Sequence, residues 1–291
     1  VEFLTDPVGW WVEPITTNPF MQRALLASLL AVLGTSVVGT WVVLRGMAFF
    51  GHALAHGVLP GIAIAFIVGH STTIGALAAA ALMVAGINAV KVHSPLPEDA
   101  GIGLLFVGML AVTVVLLSSH QVGYAGDLSR FLFGSVTGVT TDDLRSQAVA
   151  VAVTLAGLVL LHRAFLVLTF DETQARLLGL RPRLAHLSLL GLVAMATVSA
   201  FEAVGSLLVF AFLIAPPAAA SLVVRRVPLI MVGSVAFGAG SVVVGMLISF
   251  HYGTASGATM ALTSVVVFFV VLAVTSRLRA ARNRQLAATP G

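Results

Sequence analysis

Nine stretches of this chain stay apolar for roughly 20 residues and carry almost no charge. No other feature restricts its fold as strongly, because a run of that length and polarity crosses a bilayer as a helix. The runs fall near 20–44, 48–69, 72–92, 98–119, 143–162, 184–203, 205–224, 228–250 and 257–276. Inside hydrocarbon every backbone N–H and C=O must be satisfied within the protein. The expected fold is therefore all-α, a polytopic transmembrane bundle of eight or nine spans. Charged residues make up 9% of the chain, against about 25% in a soluble domain. The segment 121–142 is too polar to span and reads as an interfacial or re-entrant loop. No polar domain or low-complexity tract interrupts the runs, so residues 1–291 are expected to form one transmembrane domain.

The basic residues set the orientation. With the C-terminus inside, Arg45, Lys91, Arg163, Arg176, Arg181, Arg183, Arg225, Arg226, Arg277, Arg279, Arg282 and Arg284 all fall on the cytoplasmic side. Only Arg23, Arg130 and Arg145 fall outside, and the inverted topology would reverse that excess of inner positive charge. Nine spans place the N-terminus outside; eight would move it. The net charge of +4 thus reports topology and gives no reason to expect a nucleic-acid partner. Glu2, Asp6 and Glu13 stand where a basic leader would be, so a signal peptide is not expected. Trp10 and Trp11 read as an interfacial anchor. The chain has no cysteine, so a metal site would need His, Asp, Glu and oxygen donors.

Two histidines carry the chemistry. His52 and His56 are four residues apart in the second run, which puts both imidazoles on one helix face. Ionisable groups at membrane depth are costly and point to function. The pair suits metal binding or proton handling, and two satisfied core histidines are the competing reading. Pro60-Gly61 follows within a turn and is expected to break the span there. His70, His120 and His251 lie near outer span ends, and with Asp127 and Glu202 they could line an ion route from outside. Ordinary interfacial residues have the same appearance. Glu202 is the one carboxylate clearly within an apolar run, and Pro216-Pro217 is expected to break the seventh span.

Between the fifth and sixth runs, Leu168 through Pro182 is polar and cytoplasmic. Asp171 and Glu172 suit a helix start and Gly179 a helix end. This predicts a short amphipathic helix, suited to a partner protein or to resting on headgroups. Several functions are absent. Lys91 is the single lysine and has no preceding glycines, so there is no P-loop and no ATP hydrolysis by that route. There is also no His-Glu-x-x-His zinc protease motif.

Taken in order, these segments resemble the membrane permease subunit of bacterial zinc/manganese ABC importers, the ABC-3 family, over nearly the whole chain. The likeness is carried by Trp41 through Gly61, Phe131-Leu-Phe-Gly-Ser135, Asp171 through Leu180, Val204-Gly-Ser-Leu-Leu-Val through Pro216, and Ser256-Gly-Ala-Thr259. The resemblance implies a multi-pass protein of the bacterial inner membrane, not itself an enzyme, that provides the pathway for Zn²⁺ or Mn²⁺. The metal is then substrate, with no cofactor permanently bound. Implied partners are cytoplasmic ABC ATPase subunits, an extracytoplasmic metal-binding protein and a second permease, most simply another copy. His56 matches the family's histidine, whereas His52 stands where aspartate is usual. Imidazole in place of carboxylate favours zinc over manganese, and four imidazoles from two chains would suit tetrahedral Zn²⁺. Phe170, Asp171, Glu172, Ala175, Arg176, Leu178 and Gly179 correspond to the segment that docks on the ATPase. The rivals are a siderophore- or haem-type ABC permease, with a wide pathway and no need of the pair, and a proton-coupled secondary metal transporter.

Overall fold

The computed structural model describes residues 7–11, 13–119, 138–171, 175 and 177–288. Among them, nine helices are long and apolar enough to cross a membrane. Two short helices, α1 (Pro7–Trp11) and α2 (Glu13–Thr17), lead into α3 (Pro19–Leu44), the first span. The second span is divided into α4 (Ala48–Gly57) and α5 (Leu59–Val68). The third to fifth spans are α6 (Thr72–His93), α7 (Glu98–Ser119) and α8 (Thr141–Leu160), after which α9 (His162–Phe170) adds a short helix. The remaining spans are α10 (Pro182–Val204), α11 (Ser206–Val223), α12 (Val227–Tyr252) and α13 (Ser256–Ala288). The span limits agree with the apolar runs to within a few residues; α9 is an element the runs did not separate.

Small residues let the helices approach closely, as expected where lipid supplies no hydrophobic force between spans. α3 is the central helix. Every residue from Gly34 to Val42 is buried. Its inner half joins a cluster containing Trp41, Phe50, Phe165, Leu189 and Leu213. Its outer half joins Met21, Val204, Phe212, Met246 and Met260. α5 and α6 meet backbone to backbone: a Cβ at Gly61 would strike the Gly75 carbonyl, and one at Gly75 the Gly61 carbonyl.

The prolines behave differently from expectation in one span. The second span is jointed at Val58, next to Leu59-Pro60, but the joint is mild: Val58 keeps helical angles of −82° and −17°. The seventh span is not broken, because α11 runs continuously through Pro216 and Pro217. A proline removes the N–H that would bond the carbonyl four residues back. Here those carbonyls belong to Phe212 and Leu213. Ser36 Oγ of α3 donates to the Phe212 oxygen at 3.1 Å. Gly39, also on α3, lets the backbone come so near that any Cβ would collide with the Leu213 oxygen.

The outer members of the bundle are more loosely held. In α7 one stripe is buried, including Ile102 and Thr113, while Leu104, Val107 and Val115 are exposed. α7 packs on α4, α5 and α6.

Candidate functional site

α4 opens the second span at Ala48, so its residue numbers measure depth from that end. At 1.5 Å per residue, His52 and His56 stand about 6 and 12 Å up from that end. Both are half-buried. Their ring centroids are 5.0 Å apart with planes at 70°. Aromatic side chains from three helices surround them. Phe106 of α7 lies 5.7 Å from the His52 ring and 6.0 Å from the His56 ring, centre to centre. Phe210 of α11 lies 5.0 Å from His52, and Phe49, one turn earlier on α4, lies 6.4 Å away. Two glycines of α4 admit neighbouring bulk, since a Cβ at Gly51 would overlap Leu213 and one at Gly57 would overlap the Met83 sulfur. The site is thus two imidazoles in an apolar, aromatic frame. Among the described residues no group of three or more His, Asp or Glu gathers to hold a metal. One chain brings two imidazole rings together here.

The other sequence candidates are spread over both faces. His70 follows Gly69, whose φ of +73° closes α5, and it is exposed on the outer side with Nδ1 3.3 Å from the Val68 oxygen. His251 ends α12 on the same side. Its Nδ1 donates to the Leu247 oxygen at 2.9 Å and its ring stacks on Trp10 at 4.4 Å. Glu202 lies in the last turn of α10, just before buried Gly205 separates α10 from α11. His120, Asp127 and the Phe131–Ser135 stretch fall outside the described residues.

Between α9 and α10 lies the segment expected to dock on the ATPase, and its described residues are Asp171, Ala175 and Leu177–Leu180. Phe170 ends α9 and is exposed. Asp171 is extended, and its carbonyl accepts the Ala175 N–H at 3.1 Å, which opens the turn. Gly179 has φ of +70°, and the Leu180 N–H returns to the Ala175 oxygen at 3.0 Å. That is the Schellman closure for which glycine is suited. Ala175 is buried, whereas Leu177 and Leu178 are 83% and 56% exposed and form an apolar tip. Glu172 and Arg176 lie outside the described residues.

Sequence reading missed a second cluster. Lys91 Nζ donates to Glu98 Oε2 at 2.7 Å, and His186 Nε2 lies 2.9 Å from Glu98 Oε1. His186 is buried, 6% exposed, and its Nδ1 has no hydrogen-bond partner among the described residues. An adjoining cavity of about 750 Å³ is lined by Arg45, Arg181 and Arg183 together with Lys91 and His186.

With this geometry established, relatives place the chain. The profile described as ABC 3 transport family matches residues 17–275. The chain belongs to that family. The manganese transport system membrane protein MntC of Listeria monocytogenes is 33% identical over 260 residues, covering 89% of this chain and 92% of that protein. A probable iron transport system membrane protein of Haemophilus influenzae is 33% identical over 264 residues, 91% and 96% of the two chains. Among solved structures, PsaBC from Streptococcus pneumoniae in complex with Fab superposes with a TM-score of 0.81 at 29% identity, covering 91% and 95%. As an ABC-3 member the chain is the multi-pass membrane permease of a divalent-metal ABC importer, without an ATPase domain. Hydrolysis therefore belongs to a partner subunit, and an ABC importer also takes its cargo from a binding protein.

Proposed function

We propose that this permease imports Zn²⁺ in preference to Mn²⁺, with His52 and His56 as the transit ligands. The observation that carries the reading is the spacing of the two imidazoles. A zinc–nitrogen bond of about 2.0–2.1 Å places each ring centre roughly 3.2 Å from the metal. At a tetrahedral angle two such rings have centres about 5.2 Å apart, close to the 5.0 Å found here. Nitrogen donors favour zinc, whereas manganese prefers oxygen. A second copy of the chain would bring two more imidazoles and complete four-coordination.

The surroundings suit transit rather than storage. Phe106 and Phe210 flank the pair and reduce its contact with water, so an ion arriving there exchanges part of its hydration for imidazole. With two ligands per chain, the site can release its ion when the chains move apart. The ATPase subunits dock on the turn at Asp171–Leu180 and on its exposed Leu177 and Leu178, and the binding protein delivers metal to the outer face.

The test is radiometal uptake into proteoliposomes holding the permease with its cognate ATPase and binding protein. ATP-dependent ⁶⁵Zn uptake that exceeds ⁵⁴Mn uptake, and that is lost in His52→Ala and in His56→Ala, is the expected result. Undiminished uptake in both variants removes the pair from the pathway. Uptake by the permease alone under a proton gradient would contradict an ATP-driven route.

A further inference from the structure

We propose that Glu98 is a positioning residue through which movement of the ATPase-docking turn reaches the wall of the metal pathway. The inference rests on the transport reading above and adds a mechanical link that joins its two ends.

The link begins at the docking turn. Gly179 and Leu180 close that turn, and Pro182 opens α10 almost at once. Proline fixes φ at the junction, so displacement of the turn passes into the first turns of α10. His186 sits there, buried, with Nε2 2.9 Å from Glu98 Oε1. Glu98 is the first residue of α7, and Lys91, near the end of α6, holds its other oxygen at 2.7 Å. The Glu98–His186 contact joins α7 to α10, two helices distant in sequence. A half-buried carboxylate is costly to strand without partners, so the carboxylate follows His186 instead of parting from it.

α7 carries the movement inward. Its inward stripe runs from half-buried Glu98 through buried Ile102 to half-buried Phe106, and the rise between the first and last is about 12 Å. Phe106 is the ring that faces both His52 and His56. Apart from that stripe α7 is largely exposed, so it can tilt without dismantling the core. A shift of Glu98 by one or two ångströms would thus reposition the aromatic wall against the metal ligands. The coupling turn and the imidazole pair are connected through one rigid helix held at its end by one carboxylate.

The experiment uses the assembled transporter in proteoliposomes and measures ⁶⁵Zn transported per ATP hydrolysed. In parallel, an environment-sensitive fluorophore on Leu104→Cys reports movement of α7 on ATP addition. Leu104 is exposed on α7, and the chain has no cysteine of its own. Glu98→Gln and His186→Ala should each lower zinc per ATP by about tenfold, a coupling change of roughly 1.4 kcal/mol. Both should abolish the ATP-dependent fluorophore signal while leaving zinc affinity without ATP unchanged. His186→Gln, which keeps an N–H for the carboxylate, should retain both. A parallel fall in uptake and hydrolysis at constant ratio would overturn the proposal, as would an unchanged fluorophore signal. If Glu98→Gln and His186→Ala both fail to assemble, the bridge is a structural staple and the proposal fails. Should wild type show the fluorophore signal through Glu98 but no zinc uptake, the link stands and the choice of cargo falls.

Discussion

The second and seventh spans both carry proline at membrane depth, yet only the second is jointed. In α11 the two carbonyls released by Pro216 and Pro217 face α3, where Ser36 bonds one and Gly39 lets the backbone close over the other. In the second span Pro60 withholds its N–H from the His56 carbonyl, and the helix divides at Val58. Proline acts as a brace where a neighbouring helix takes over its carbonyl and as a joint where the chain bends instead. The brace lies in the buried centre of the bundle, and the joint lies within a turn of the imidazole pair.

Breaking the brace should have the largest effect. Gly39→Val would drive a branched side chain into the Leu213 carbonyl, which backbone cannot evade, and should cost about 3 kcal/mol or more. Loss of the folded peak in detergent size-exclusion chromatography would show it. His56→Ala, on the jointed side, should leave that peak intact, because the ring is only half-buried. Its zinc uptake should fall on the order of a hundredfold, since even outer-shell partners of a metal are worth 10–100-fold in affinity or activity.

Straightening the joint sharpens the comparison. Pro60→Ala restores an N–H for the His56 carbonyl and should hold or raise the thermal midpoint, while transport slows by about threefold, an amount set by hinge mobility. Pro216→Ala should change transport little, because α11 is already continuous. The smallest effect is expected from Ser36→Ala, which removes one interhelical hydrogen bond worth about 0.6 kcal/mol in a membrane protein. A modest drop in thermal midpoint with unchanged uptake would confirm its bracing role.

The nine candidate spans were legible because length and apolarity are local properties of a sequence. So was the imidazole pair, since spacing of four residues fixes a shared helix face, and so was Gly179 as a helix end. The fate of Pro216-Pro217 was not legible, because it depends on Ser36 and Gly39, about 180 residues away, a separation read directly from the chain. Phe106 and Phe210 were hidden for another reason: an aromatic in an apolar run looks like any core or lipid-facing residue. An acid that opens an apolar run, as Glu98 does, and a histidine near a span end, as His186 is, carry no local sign of each other. Only the fold brings them within 2.9 Å. Local periodicity thus marks elements and ligands on one helix, while the groups that join helices come from tertiary packing.

The most direct measurement is zinc K-edge X-ray absorption on the purified, zinc-loaded transporter, compared with its His52→Ala/His56→Ala double variant. Imidazole nitrogen scattering at about 2.0–2.1 Å in wild type, lost in the double variant, is the result expected if these residues hold the ion in transit. An oxygen-only shell, or an imidazole signal that survives removal of both histidines, would contradict it.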